Sequence, residues 1–323
     1  MKVKAKAHPN IAMVKYWGKA DDELRLPMNS SISITLDKLW TVTEVEFDKR
    51  FKEDKVVLSG GDFSKKERLR VVRHLDRIRG MAGVDIKARV VTRNNFKKAS
   101  GMASSASGFA ALSLAGSKAV GLNLSEKELS VLARLGSGSA CRSIPGGIVI
   151  WHKGSDNKSS YAESIKIGKS LDIRVLLIEV DQDGEKEVGS TRGMDLAKTS
   201  PYFTQAIKRA ERNLGKIKLA IRLNKWEKIG EVVETECFRL HVLAMTSKPA
   251  ILYWEPASLR IMNKVFELRE KGIMAYFTAD AGPHIHVICK RKDEKQLMSE
   301  LKKLVGVKQV ISCGVGERAR LLS

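Results

Sequence analysis

Apolar and polar residues alternate in Ser31-Ile-Ser-Ile-Thr-Leu36 and again in Thr41-Val-Thr-Glu-Val-Glu-Phe47. A period of two puts every second side chain on one face, which predicts strands. After residue 64 the spacing changes: Leu69, Val72, Leu75 and Ile78 recur at helical intervals, with Lys65, Arg68, Arg70, Arg73 and Arg77 on the other faces. This predicts a basic amphipathic helix over 64–79, one stripe packed and the rest wet. Residues 86–92 read as a strand and Ser104–Val120 as a helix with small residues on most sides. Ser125 and Glu128 form a capping box that opens a helix over about 126–135, and Gly136–Ser139 reads as the loop that ends it. Ile148–Trp151 and Ile173–Val180 predict strands. The second half predicts helices at about 198–222, 225–247 and 257–271, strands at 273–279 and 284–289, and a helix at about 293–304. A composition shift near Gly184 divides the chain into 1–183 and 184–323, with no internal repeat.

The chain has 323 residues, 43% of them hydrophobic, enough for a real core. No run of about 18 apolar residues occurs, so no membrane span is predicted. Met1-Lys-Val-Lys-Ala-Lys6 has charges but no apolar stretch behind it and does not read as a secretory signal. The expectation is a soluble, cytoplasmic protein with no membrane partner. A net charge of +21 attracts polyanions. It fits nucleic-acid binding, or an enzyme with very anionic small substrates, and charge alone does not choose. The sequence lacks the aromatic stacking platforms of RNP motifs. Cys141, Cys237, Cys289 and Cys313 form no C-x-x-C and stand at no zinc spacing with histidines, so they read as buried thiols.

Two segments carry chemistry. Lys97-Lys-Ala-Ser-Gly-Met-Ala-Ser-Ser-Ala-Ser-Gly108 lies between a predicted strand and a predicted helix. Small residues let backbone N–H groups approach a phosphate, and a helix start adds free donors and the positive end of a dipole. Ser104, Ser105 and Ser107 offer hydroxyls to phosphate or Mg²⁺. Taken alone, such a stretch reads as a loop before a buried helix. It is not a Walker loop, and Gly136-Ser-Gly-Ser-Ala-Cys141 lacks the third glycine of a dinucleotide fingerprint. Its G-[LM]-x-S-S-A pattern resembles the phosphate loop of the GHMP kinase superfamily. The second segment, His8-Pro-Asn-Ile-Ala-Met-Val-Lys-Tyr-Trp-Gly-Lys19, sets two lysines around a Tyr-Trp-Gly turn. Lysine supplies compact charge to phosphates, though alone these read as surface lysines.

Followed by Leu26-Pro-Met-Asn-Ser-Ser-Ile-Ser-Ile-Thr-Leu36, that segment closely resembles the diphosphomevalonate decarboxylases, a GHMP branch. Asn94-Asn-Phe96 with Ala99–Ala111 is similar to the family's nucleotide loop, and Gly136–Ser143 with Gly146-Gly147 to its substrate loop. Ser190-Thr-Arg-Gly-Met194, Leu240-His-Val-Leu-Ala-Met245 with Pro249 and Tyr253, and Thr278-Ala-Asp-Ala-Gly-Pro-His284 follow in family order, while 50–90 and 195–235 match only loosely.

The resemblance implies an α/β N-terminal part of the ribosomal protein S5 domain 2-like type, with a left-handed crossover. It implies a ferredoxin-like α+β C-terminal part, a cleft between the two, and a homodimer. It implies ATP-dependent decarboxylation of diphosphomevalonate, with ATP and Mg²⁺. Asp280 becomes the catalytic carboxylate, Lys15 its charge partner and Arg142 the holder of the substrate carboxylate. Tyr16, Trp17, Gly18, Lys19, Ser137, Gly138, Ser139, Ala140, Cys141, Thr191 and Met194 fall to the substrate, with Arg68 as a weaker carry-over. Lys98, Gly101, Ala103, Ser104, Ser105 and Ser107 fall to ATP, and Ser105 to the metal.

Two departures stand out. The family usually has Pro where Lys97 stands, so Lys97-Lys98 makes a doubly basic loop that adds a phosphate contact. Its Asn after Gly-Pro is His284, which with His286 reads as one strand face with satisfied hydrogen bonds. Sister activities also fit: a phosphomevalonate decarboxylase, a mevalonate 3-kinase, or an ATP-independent bisphosphomevalonate decarboxylase. The reading from another class is a basic RNA-binding protein.

Overall fold

The computed structural model describes residues 1–96, 104–166, 171–181 and 188–322. Its helices are α1 (Lys65–Ala82), α2 (Ser104–Ala119), α3 (Glu126–Gly136), α4 (Ser190–Ala197), α5 (Phe203–Arg222), α6 (Trp226–Met245), α7 (Pro256–Glu270) and α8 (Glu294–Lys302). Strand Thr41–Phe47 alternates buried and half-buried positions as its period of two requires. It pairs antiparallel with Lys2–Ala7 and Ala88–Asn94, and Lys55–Leu58 adds a parallel edge beside Ala88–Asn94. The apolar stripe of α1 and the small-residue helix α2 pack on this sheet, with Leu75, Ile78, Ala110 and Ala115 buried. A second sheet joins Asn10–Val14, Ser31–Thr35, Ile148–Trp151 and Ala162–Ile165.

The third sheet contains Ile173–Val180, Ala275–Ala279, Ile285–Lys290 and Val307–Cys313, all antiparallel. In chain order these are strands one to four, and their order in the sheet is 2-3-1-4. With helices before the second strand and α8 before the fourth, this is the ferredoxin-like βαββαβ pattern. The expected boundary near Gly184 lies outside the described residues. Ile173–Val180, which precedes it, belongs to the sheet of the following half. Conversely, the last strand, Arg320–Leu322, pairs with Lys2–Ala7 in the first sheet. One core cluster also spans both halves, from Ile11 and Ile34 to Leu214 and Ile229.

Local expectations are corrected in two places. Gly136–Ser139 is not a loop: α3 runs through Gly136, and Gly138–Ser143 forms a 3₁₀ helix. The helix expected from 198 begins at Phe203, because Pro201 sits in the turn after α4 and cannot donate to a continuing ladder. The box formed by Ser125 and Glu128 is present, and Ser64 with Glu67 makes another on α1. All four cysteines are free and buried. No described helix is long and apolar enough to cross a membrane.

Candidate active site

The cleft between the two units is a cavity of about 310 Å³. Lys15 enters it directly after strand Asn10–Val14, whose register slips between Ala12 and Val14. Asp280 enters from the tight turn that follows strand Ala275–Ala279, where the Gly282 N–H donates to the Asp280 carbonyl at 2.8 Å. The Lys15 Nζ donates to Asp280 Oδ1 at 2.8 Å, with the lysine 1% and the aspartate 33% exposed. Burial pushes the Asp280 carboxyl up, but the Lys15 charge and hydrogen bond outweigh it, with help from Arg142, and hold it below the usual carboxylate range. The pair is therefore a carboxylate facing a buried ammonium, with only the carboxylate partly open to the cleft.

Arg142 stands beside it on the 3₁₀ helix, buried. Its Nε donates to Asn10 Oδ1 at 3.1 Å and its Nη1 to Ser31 Oγ at 2.6 Å, and its guanidinium lies 5.7 Å over the Trp151 ring. Asn10 is itself fixed by the Ser143 hydroxyl at 2.8 Å. The fork is thus held on one side by neutral acceptors, while the residue lines the cleft with Asp280, ready for an anion. Tyr16 packs edge-on against Trp151 at 4.7 Å. A Cβ at Gly138 would come within 2.8 Å of the Tyr16 ring, so the 3₁₀ helix can lie this close to that ring only with glycine there.

Another wall of the cleft is built at the start of α2. Ser104 and Ser105 line the cleft, and Ser105 Oγ lies 3.2 Å from Ser137 Oγ. A second cavity of about 100 Å³ shares Ser104 and Ser105 and continues between apolar walls that include Val56, Leu58, Val90 and Phe109. Trp17, Ser137, Gly138, Ser139, Thr191 and Met194 also line the main cleft. Lys98, Gly101, Ala103 and the departure Lys97 lie outside the described residues.

Several expected residues stand elsewhere. Ser107 is buried on α2, its hydroxyl 2.7 Å from that of Thr41. Lys19 holds Asp22 and Asp195. Gly18 and Lys19 do not border the cleft, nor do Ala140 and Cys141, which pack into the core. Arg68 is half exposed and donates to the Val56 and Phe63 carbonyls, away from the cleft. Two cations that the motifs did not mark do line it, Arg25 and Arg70. Arg25 Nε donates to the Leu135 carbonyl at 3.0 Å and Arg70 Nη2 to the Gly136 carbonyl at 3.2 Å, so both are anchored on the C-terminal end of α3. That carbonyl end stabilises cations. The signal for Arg70 was its place two residues after Arg68, on the other face of α1. Ser190, part of the Ser190-Thr-Arg-Gly-Met194 segment but not assigned to the site, lines the cleft beside Thr191. The satisfied histidine face is corrected in part: His284 Nδ1 accepts the Val180 N–H, but both ring nitrogens of His286 are buried with no hydrogen-bond partner among the described residues.

This arrangement suits an anionic substrate placed between Asp280, Arg142 and the serines of α2. Among the described residues no three His, Cys, Asp or Glu side chains cluster as a metal site. A hydroxyl such as that of Ser105 fits Mg²⁺ arriving with a nucleotide, whose phosphate oxygens and waters supply the other ligands.

A serine-bearing helix start, facing a lysine–aspartate pair across a cleft whose far wall is a ferredoxin-like sheet, defines a GHMP-kinase-fold protein. Residues 7–162 match the family model described as diphosphomevalonate decarboxylase-like N-terminal domain, and residues 176–320 match mevalonate 5-diphosphate decarboxylase C-terminal domain. The chain belongs to the diphosphomevalonate decarboxylase family. It is 33% identical to the diphosphomevalonate decarboxylase of Debaryomyces hansenii, over 93% of this chain and 82% of that one. It is 31% identical to the phosphomevalonate decarboxylase of Haloferax volcanii, over 89% and 88%. The mevalonate diphosphate decarboxylase of Staphylococcus aureus superposes with a TM-score of 0.96 at 36% identity, over 100% of this chain and 98% of that one. A complex of MDDEF with MVAPP, AMPPCP and magnesium gives 0.95 at 40% identity, over 100% and 99%.

Proposed function

We propose that the protein catalyses the ATP-dependent decarboxylation of (R)-5-diphosphomevalonate to isopentenyl diphosphate, with release of ADP, phosphate and CO₂. The observation that carries this reading is the Lys15–Asp280 pair set between Arg142 and the serines of α2. Asp280 receives the proton of the C3 hydroxyl, and Lys15 keeps that carboxylate ionised and aimed. MgATP supplies the phosphoryl group that turns the hydroxyl into a leaving group. Ser104, Ser105 and the N–H groups of α2 hold its phosphates, with the base in the adjoining apolar cavity. Arg142 takes the substrate carboxylate through a planar fork. As phosphate leaves, positive character grows at C3, and the C–C bond electrons fill it as CO₂ departs. The protein's work is positioning and charge stabilisation.

Arg25, Arg70, Ser137, Ser139 and Thr191 surround the space left for the diphosphate. The +21 charge then serves an anionic substrate and nucleotide, with no specific nucleic acid. The enzyme works in the cytoplasm as a homodimer. Support for pairing comes from the exposed apolar residues Phe238, Val242, Leu252, Leu259 and Phe266 on and between α6 and α7.

Purified protein incubated with ATP and, separately, mevalonate, its 5-phosphate and its 5-diphosphate tests the reading. ADP and CO₂ in equal amounts from the diphosphate are expected. ADP without CO₂ would make it a kinase, and turnover of the monophosphate alone would move it to the sister activity.

A further inference from the structure

Strand Asn10–Val14 stops pairing at Val14, so the peptide groups of Lys15 leave the sheet while still buried. Buried backbone groups need partners, and here a charged pair supplies them. The Lys15 N–H donates to Glu236 Oε2 at 3.0 Å, and the Lys15 carbonyl accepts Arg239 Nη2 at 2.9 Å. Asn29 Nδ2 reaches the same carbonyl at 3.0 Å. Glu236 and Arg239 stand one turn apart on α6, 0% and 7% exposed, and bond each other through Arg239 Nε and Nη2, the latter at 2.7 Å. Asn213 of α5 donates to Glu236 Oε1 at 2.8 Å, and the same oxygen accepts Arg239 Nε at 3.0 Å.

A buried ion pair is often no more stabilising than well-packed apolar side chains of the same volume. Stability alone therefore does not account for this one. Its geometry does: the fork and carboxylate grip both sides of a single residue, and that residue's ammonium meets Asp280.

We propose that the Glu236–Arg239 pair is a positioning device for Lys15, setting the backbone from which its side chain reaches Asp280. The inference rests on the reading that Lys15 and Asp280 carry the reaction. Neither Glu236 nor Arg239 borders the cleft, so neither touches substrate. Displacing a positioned group by about 1 Å costs up to about 10²-fold in rate.

The test is Glu236→Gln, which keeps shape and one acceptor but leaves the guanidinium without its counter-charge. The expected result is a kcat lowered by about 10²-fold, with KM for ATP and diphosphomevalonate within about threefold of wild type, because uniform binding is untouched. The acid limb of the kcat profile should move to higher pH as Lys15 loosens from Asp280. Wild-type kcat per folded molecule with an unmoved acid limb, even at a lower Tm, overturns the proposal. If Glu236→Gln does not fold, Arg239→Lys decides by the same two readouts. Lysine keeps the charge but cannot hold the carboxylate and the Lys15 carbonyl together. Asp280→Asn and Lys15→Met run alongside. If they are active, the catalytic reading itself fails and takes the inference with it. If they are inactive while the α6 variant behaves as wild type, only the positioning role falls.

Discussion

Lys15 and Asp280, 265 positions apart in the chain, meet at 2.8 Å in the cleft. A turn-capping aspartate would make bonds to nearby N–H groups and cost about 1 kcal/mol when replaced, with activity kept. Asp280 instead gives its oxygen to a buried ammonium. Asp280→Asn keeps the shape but cannot take the hydroxyl proton. Turnover should fall by about 10²–10⁴-fold while ATP and substrate still bind, as read by isothermal titration. Retention of more than about a tenth of wild-type turnover would refute the assignment. ADP without CO₂ would restrict Asp280 to the elimination.

The same pair sets a pH dependence. Charged groups facing Asp280 are Lys15 and Arg142, while burial drives His286 down to about 4, leaving it neutral over most of the working range. The Asp280 carboxyl is depressed in the folded protein, so it stays ionised to pH below its ordinary range. Activity, and the stability the pair contributes, should persist to acid pH and fail only as pH drops through the lowered value. In Lys15→Met the burial cost is no longer offset, so the acid limb of the residual kcat should shift upward. A limb that stays in place would show that Lys15 does not set the charge of Asp280.

Much of this was legible in the sequence because it is local. Ser125 and Glu128 cap α3 as their spacing requires, and Ile148–Trp151 and Ile173–Val180 are the strands their apolar runs predict. What failed is nonlocal. Arg320–Leu322 is short and carries no alternation, and it is a strand only because Lys2–Ala7 offers it an edge. Ser107 looked like a ligand because it shares a loop with Ser105, but helical rotation turns it onto Thr41. Lys19 reads as a phosphate contact from its motif, but its partners here, Asp22 and Asp195, lie outside that motif, the latter on α4 at 3.3 Å. Motif spacing names the loop, and the helix phase decides which of its side chains face the ligand.

Gly230 shows how closely α6 packs on the third sheet. A Cβ there would lie 2.1 Å from ring atoms of Tyr276, which is 4% exposed and sits under the Arg269 guanidinium at 4.1 Å. Alanine in a helix interior normally gains about 1 kcal/mol over glycine. In Gly230→Ala the 2.1 Å clash puts overpacking at the upper end of its range, about 3 kcal/mol, which outweighs that gain and gives a net loss seen as a lower urea midpoint at unchanged m. A variant as stable as wild type or more so would mean that Tyr276 can step aside.

The last prediction separates two arginines on one helix. Arg68 and Arg70 lie two residues apart on α1, about 200° around the helix axis. Only Arg70 lines the cleft; Arg68 is turned to the Val56 and Phe63 carbonyls. Arg70 is also buried enough that its guanidinium is pushed below its ordinary range, with the neighbouring Arg25 charge adding to the effect. Two crowded cations at a helix C-terminus are relieved by an anion, which is the role a diphosphate would fill. Arg70→Gln should therefore raise the KM for diphosphomevalonate by about 10-fold or more, as loss of a charged hydrogen bond of about 1.5–3 kcal/mol requires. It should leave kcat much less affected, since the contact is distant from C3. Arg68→Gln, which removes the same charge from the same helix, should leave both within about twofold, because an exposed charge away from the cleft is largely screened at physiological salt. Equal effects from the two variants would mean that long-range charge, not contact, attracts the substrate. A large effect from Arg68→Gln alone would show that α1 rotates or shifts when the substrate binds.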